Sequence, residues 1–272
     1  QLVTSGTGHI RFWRMAQTFT GLKLQGDIGK FGQKELSDIE GYCEMPDGKI
    51  LSGSDWGNLL LWEGNLIKAE IKAADGTNCH NGAVRSVVLD GVQIITGGND
   101  GYVRSWPVVE IEAAEPTDED PICKVTNLKE VCLLDMEAGR AEAKVQTMLR
   151  GEDHWLVQDS SGGVYKVNLD TGASKSLFHF HSGGISALDL CPFNHAAATC
   201  GADGSVRLWD YVSRSMICTF RSPASATCLS WGARSVDPEG RTLCVGYADG
   251  VVRVLTRCRD GLHLKGAFKP HS

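Results

Sequence analysis

The sequence predicts an all-β fold, a β-propeller of six or seven four-stranded blades whose first blade is incomplete in this chain. Two observations carry that expectation. A turn-plus-strand signature recurs six times, nearly complete as Gly98-Asn99-Asp100-Gly101-Tyr102-Val103-Arg104-Ser105-Trp106 and as Gly201-Ala202-Asp203-Gly204-Ser205-Val206-Arg207-Leu208-Trp209. Its turn glycines, Gly8, Gly57, Gly101, Gly162, Gly204 and Gly250, follow one another at 49, 44, 61, 42 and 46 residues, the length of one four-stranded blade.

Each copy has the same physical logic. Asp-Gly reverses the chain because glycine tolerates positive φ and the aspartate side chain bonds nearby backbone amides. A strand with alternating side chains follows, so Val206 and Leu208 share one face while Arg207 and Trp209 share the other. Both faces of an inner strand are covered by neighbouring blades, which explains apolar residues on both.

Taken in order, Leu2-Val3-Thr4-Ser5 reads as the end of a second strand with no first strand before it. His9 to Trp13 and Ala16 to Leu24 then form the third and fourth strands of that blade. The first strands of the five fuller blades are expected at Asp38 to Met45, Val84 to Asp90, Glu142 to Leu149, Ile185 to Leu190 and Ala226 to Trp231. Pro270-His271-Ser272 repeats the His181-Ser182 pair that opens a blade, so both ends read as cut from a longer protein. The whole chain, 1–272, is expected to be one propeller domain.

His80 precedes Trp106 by 26 residues and His181 precedes Trp209 by 28, with Thr96 and Thr199 just ahead of each turn. On these residues the chain resembles the WD-repeat family. The resemblance implies two hydrogen-bonded structural tetrads, His80–Thr96–Asp100–Trp106 and His181–Thr199–Asp203–Trp209, in which buried polar groups satisfy one another. The other copies depart from the pattern: Thr7 and Trp56 stand at the turn-aspartate position, and Val167 and Leu255 replace tryptophan. Reading the same histidines and aspartates as a catalytic relay is the weaker alternative, because they recur once per blade.

A net charge of −6 argues against a general nucleic-acid surface. The ten cysteines lie singly within apolar runs, as at Cys43, Cys218 and Cys244, and read as small core residues of a reducing, cytoplasmic compartment. No secretory signal and no membrane-length apolar stretch is present in the sequence. Phosphate-loop, nucleophile-elbow and zinc-protease motifs are absent, so no catalytic residue, metal or cofactor is expected. His179 and His181 could pair on one side of a strand as metal ligands, but no third ligand is evident. Lys166, Arg207 and Arg253 are expected to cover apolar surface with their stems.

The long step after Gly101 marks an acidic insertion at 107–126, placed between the third and fourth strands of the third blade. Glu110, Glu112, Glu115, Asp118, Glu119 and Asp120 supply six carboxylates within twelve residues. One reading makes it a docking loop for a basic partner, the other a solvated, partly disordered loop.

A more specific resemblance runs from Met45-Pro46-Asp47-Gly48-Lys49 through Ser54-Asp55-Trp56-Gly57-Asn58 to Lys68. It continues through Cys79-His80-Asn81-Gly82, Pro116-Thr117-Asp118-Glu119-Asp120-Pro121, Phe178-His179-Phe180-His181-Ser182-Gly183 and Gly246-Tyr247-Ala248-Asp249-Gly250. These segments resemble the axonemal WD-repeat proteins of the ciliary and flagellar tether and tether-head complex. That resemblance implies a non-catalytic scaffold of cilium, flagellum and cytoskeleton. Its partners would be the inner-arm dynein heavy chain, other tether-complex subunits and doublet-microtubule tubulin, with no nucleic acid or membrane. A general cytoplasmic WD-repeat adaptor, serving as a ligase substrate receptor or transport-complex subunit, would share every blade feature. A propeller enzyme would need a convergent polar site or a bound metal.

Overall fold

Short glycine turns and apolar strands build a succession of antiparallel meanders. The computed structural model describes residues 2–117, 122–135 and 141–270. The chain forms two compact units, Gln1–Phe178 and His179–Ser272.

The first unit carries four blade sheets in sequence. Leu2–Gly6, His9–Thr18 and Gly21–Ile28 form a three-stranded sheet. The third strand runs five residues beyond Trp13 and the fourth is Gly21–Ile28, so the reversal lies at Phe19–Thr20 and not before Ala16 as expected. The second blade is Tyr42–Glu44, Ile50–Gly53, Leu59–Glu63 and Leu66–Ala73. The third is Val84–Asp90, Gln93–Gly98, Tyr102–Pro107 and Lys129–Cys132, and the fourth is Val145–Arg150, Trp155–Asp159, Gly163–Asn168 and Ala173–His179. The second unit holds two further four-stranded sheets, Ile185–Leu190 to Ser215–Arg221 and Ala226–Trp231 to Gly261–Phe268.

The fold is thus the all-β, propeller-type repeat that the sequence predicts. All six turn glycines have positive φ, from 65° at Gly8 to 97° at Gly57. Gly57 and Gly204 are further constrained. A Cβ at Gly57 would lie 1.9 Å from the His80 carbonyl oxygen, and one at Gly204 would lie 2.1 Å from that of Ser222.

Within each unit the core lies between successive blades. Leu59, Leu60, Leu61 and Trp62 are all fully buried, although alternation sends them to opposite faces. Leu59 and Leu61 join Ile94 and Trp106 in one cluster, while Leu60 and Trp62 join Ile10, Phe12 and Phe31 in another. In the second unit Val206, Leu208, Val245 and Leu255 build the equivalent layer.

All ten cysteines are free. They are not uniformly core residues: Cys43 and Cys218 are half-buried and Cys244 is exposed. Leu243 and Val245 take the buried face of their strand, which turns Cys244 to the other side.

Candidate functional site

The repeat signature places one polar lock on the third blade. Trp106 Nε1 donates to Thr96 Oγ1 at 2.9 Å, and Thr96 Oγ1 lies 2.7 Å from His80 Nε2. His80 Nδ1 lies 2.9 Å from Asp100 Oδ1. The indole can only donate and the carboxylate only accept, so the Thr96 hydroxyl donates to Nε2 and Nδ1–H donates to Asp100. Asp100 also accepts from the Asn81 amide at 3.0 Å and from Arg104 Nη1 at 2.8 Å. Burial pushes its carboxyl up, but the bonds from His80, Arg104 and Asn81 outweigh that and hold it far below the usual carboxylate range. Burial lowers the His80 pKa, its bond and attraction to Asp100 only partly opposing, which keeps the ring neutral at pH 7.

The fifth blade repeats the arrangement. Trp209 Nε1 to Thr199 Oγ1 is 2.8 Å, Thr199 Oγ1 to His181 Nε2 is 2.9 Å, and His181 Nδ1 to Asp203 Oδ1 is 3.0 Å. Trp209 differs from Trp106 in being half-buried: it lines an open apolar cavity of about 270 Å³ with Phe180, Ile185 and Thr199. With both ring nitrogens of His181 engaged, the His179–His181 pair is not arranged to bind a metal.

Three further copies hold locks that the repeat pattern did not point to. In the second blade Trp62 Nε1 donates to Ser52 Oγ at 2.9 Å, Asp55 Oδ2 accepts from the Asp38 amide at 3.1 Å, and Ser37 Oγ accepts from the Asp55 amide at 2.8 Å. Asp55 therefore fills the turn-aspartate role one residue before Trp56, and Ser37 stands in the histidine position. In the first blade Trp13 Nε1 donates to Thr4 Oγ1 at 2.9 Å. In the fourth, buried Asp159 accepts from Tyr165 Oη at 2.8 Å and from the amides of Ser161 and Gly163. The ten-residue offset from Ser52 to Trp62 matches that from Thr96 to Trp106 and was the signal available in sequence.

The strand arginines pair as well as pack. Arg253 Nη2 reaches Asp249 Oδ2 at 2.7 Å and its guanidinium lies over Tyr247. Arg207 is fully buried, donating to the His179 carbonyl at 3.0 Å with Asp203 at 3.8 Å. Arg104 joins Asp100 to Glu130. These carboxylate partners at Asp203 and Asp249 come in addition to the packing of the two side chains, with Arg207 fully buried and Arg253 over Tyr247. Lys166 approaches Asp153 at 3.9 Å.

The acidic segment is anchored over much of its length. The helix Val108–Glu112 and the residue after next insert Val108, Ile111 and Ala114 into the core between the second and third blades. Ile122–Val125 then adds to the second blade as a fifth strand, parallel to Leu66–Ala73. Glu112 Oε1 accepts from the Asp47 amide at 3.2 Å and Glu115 pairs with Lys68 at 2.5 Å. Glu110 is exposed in the first turn of the helix. Asp118, Glu119 and Asp120 lie outside the described residues.

The family model described as WD domain, G-beta repeat matches residues 75–107 and 172–210, the two segments that carry the His-Thr-Asp-Trp locks. Three curated relatives match over 100% of the chain, each called cilia- and flagella-associated protein 44. That of Mus musculus is 42% identical over 291 residues, that of Chlamydomonas reinhardtii 40% over 285, and that of Trypanosoma brucei brucei 34% over 304. The chain spans 16–17% of the length of these relatives.

Proposed function

From a chain built of WD40 repeats and homologous over its full length to cilia- and flagella-associated protein 44, we propose that this propeller is a non-catalytic interaction scaffold of the cilium and flagellum. It serves in the axonemal tether and tether-head complex, linking the inner-arm dynein motor domain to the doublet microtubule and governing motility. The observation that carries the reading is identity of 34–42% spread over the whole chain in relatives from three distant organisms.

The geometry supports such a role. Histidine and aspartate, the residues an enzyme would use for proton transfer, are committed to hydrogen bonds within their own blades at His80–Asp100 and His181–Asp203. A rigid β scaffold instead offers loops and sheet edges to partners. The acidic segment is assigned to the partner side, with Glu110 and the following 118–120 run meeting a basic surface while Glu112 and Glu115 hold the segment to the second blade.

The test is rescue of a flagellate cell that lacks the protein, using the protein with or without this propeller. Restored beating with the intact copy and an altered waveform without the propeller are expected. Normal localisation and waveform from the copy lacking residues 1–272 would refute the role.

A further inference from the structure

The hairpin that ends the second unit gathers three metal-ligating side chains. Val252–Cys258 and Gly261–Phe268 pair so that Thr256 faces His263, Arg257 faces Leu262 and Cys258 faces Gly261. Leu262 is buried, which places Cys258 and His263 together on the opposite, exposed face. Gly261 has no side chain to crowd Cys258, and Asp260 projects from the two-residue turn between the strands. One ligand atom from each of Cys258, Asp260 and His263 lies within 4.8 Å of the others, and His263 Nε2 is 3.0 Å from Asp260 Oδ1.

We propose that this hairpin tip is a zinc site, with Cys258, Asp260 and His263 as three ligands and the fourth tetrahedral position open. The donor set decides the metal: thiolate, imidazole and carboxylate together suit zinc, whereas calcium or magnesium would call for oxygen alone. The ligands come from one short hairpin whose register is fixed by backbone pairing, so little chain must be ordered to bind the ion. Cys258 is free and exposed, and its thiol gives up its proton to the metal on binding. One thiolate, one carboxylate and a neutral imidazole balance the two positive charges of the ion. Cys258 and Asp260 also line an open cavity of about 600 Å³ bordered by Asn194, Glu239 and Arg241. Arg257 and Arg259 line the same cavity, and His263 does not.

The test uses the whole chain, reduced and stripped with chelator, titrated with Zn²⁺ by calorimetry and with Co²⁺ by absorption. One equivalent should bind, and Co²⁺ should give a thiolate-to-metal charge-transfer band with the d–d bands of a tetrahedral site. Cys258→Ser should abolish that charge-transfer band, and Cys258→Ser, His263→Ala and Asp260→Asn should each weaken Zn²⁺ at least about tenfold. Because all three residues are exposed, the variants should melt with the parent in chelator. Cys228→Ser with Cys244→Ser should leave binding intact. Absence of stoichiometric binding, binding that survives Cys258→Ser and His263→Ala, or binding lost on changing Cys228 and Cys244 would each overturn the proposal.

Discussion

His80 Nδ1 donates to Asp100 Oδ1 across 2.9 Å and 20 residues of chain, and this bond sets the direction of every proton in the third-blade lock. With Nδ1 protonated, Nε2 must accept from Thr96, and the Thr96 oxygen is left to accept from Trp106. Thr96 is the pivot, because its single hydroxyl oxygen both donates to His80 and accepts from Trp106. Thr96→Val keeps the shape but strands two buried polar groups at about 1–3 kcal/mol each. Thr4→Val, at the exposed indole bond of the first blade, should cost under about 1 kcal/mol. Denaturant unfolding of the two variants checks the ranking, and equal losses would contradict the lock.

The two lock tryptophans should not be equivalent. Trp106 is fully buried, so Trp106→Ala should cost about 3–5 kcal/mol. Trp209 stands half-open to its apolar cavity, so Trp209→Ala should cost measurably less. Thermal unfolding of both variants decides it, since a larger loss at Trp209 would reverse the expected order.

Acid should weaken the fold in two stages. The His80 pKa is lowered on folding, so its contribution is complete above the unfolded value of about 6.5 and declines as pH falls through the folded one. The Asp100 carboxyl is also held low, so its contribution is complete above about 3.9 and is lost further down as pH falls through its folded value. Stability measured by denaturant should therefore fall from pH 7 to 5, and His80→Gln should flatten that stage. A rise in stability over that interval in the parent would contradict the neutral-ring assignment.

Gly57→Ala should be severely destabilising, because it adds a Cβ at φ 97° and against the His80 carbonyl. Gly8→Ala has the strained φ of 65° but open space around it, so its loss should be smaller. Circular-dichroism melts of the pair separate backbone strain from collision, and matched losses would show that the close approach contributes nothing.

The acidic segment should be integral to the second and third blades. Ile111 is fully buried in their shared core, so Ile111→Ala should cost about 2–5 kcal/mol. Hydrogen exchange should also protect the amides of Ile122–Val125, paired with Leu66–Ala73. Free exchange there, with no loss of stability from Ile111→Ala, would return the segment to a solvated loop.

Much of the blade framework was legible because each turn needs a positive φ that glycine supplies, and Gly57, Gly101 and Gly204 mark it without ambiguity. The second-blade lock was less so. Shifting the turn aspartate to Asp55 and exchanging histidine for Ser37 keeps the indole–hydroxyl bond and the amide-to-aspartate bond while erasing the residue pattern. The first-blade hairpin was misplaced because Arg14-Met15-Ala16 has no turn residue to argue for or against continuation, and pairing with Gly21–Ile28 carries the strand on to Thr18. The parallel strand Ile122–Val125 depends on a distant sheet edge that local periodicity does not encode.

The most direct test of the scaffold role is chemical crosslinking in isolated axonemes from cells expressing the tagged protein, read by mass spectrometry at peptides from residues 1–272. Crosslinks from this propeller to dynein heavy chain or tubulin are the predicted result. Crosslinks confined to soluble cytosolic complexes would contradict the axonemal role and leave a general WD-repeat adaptor.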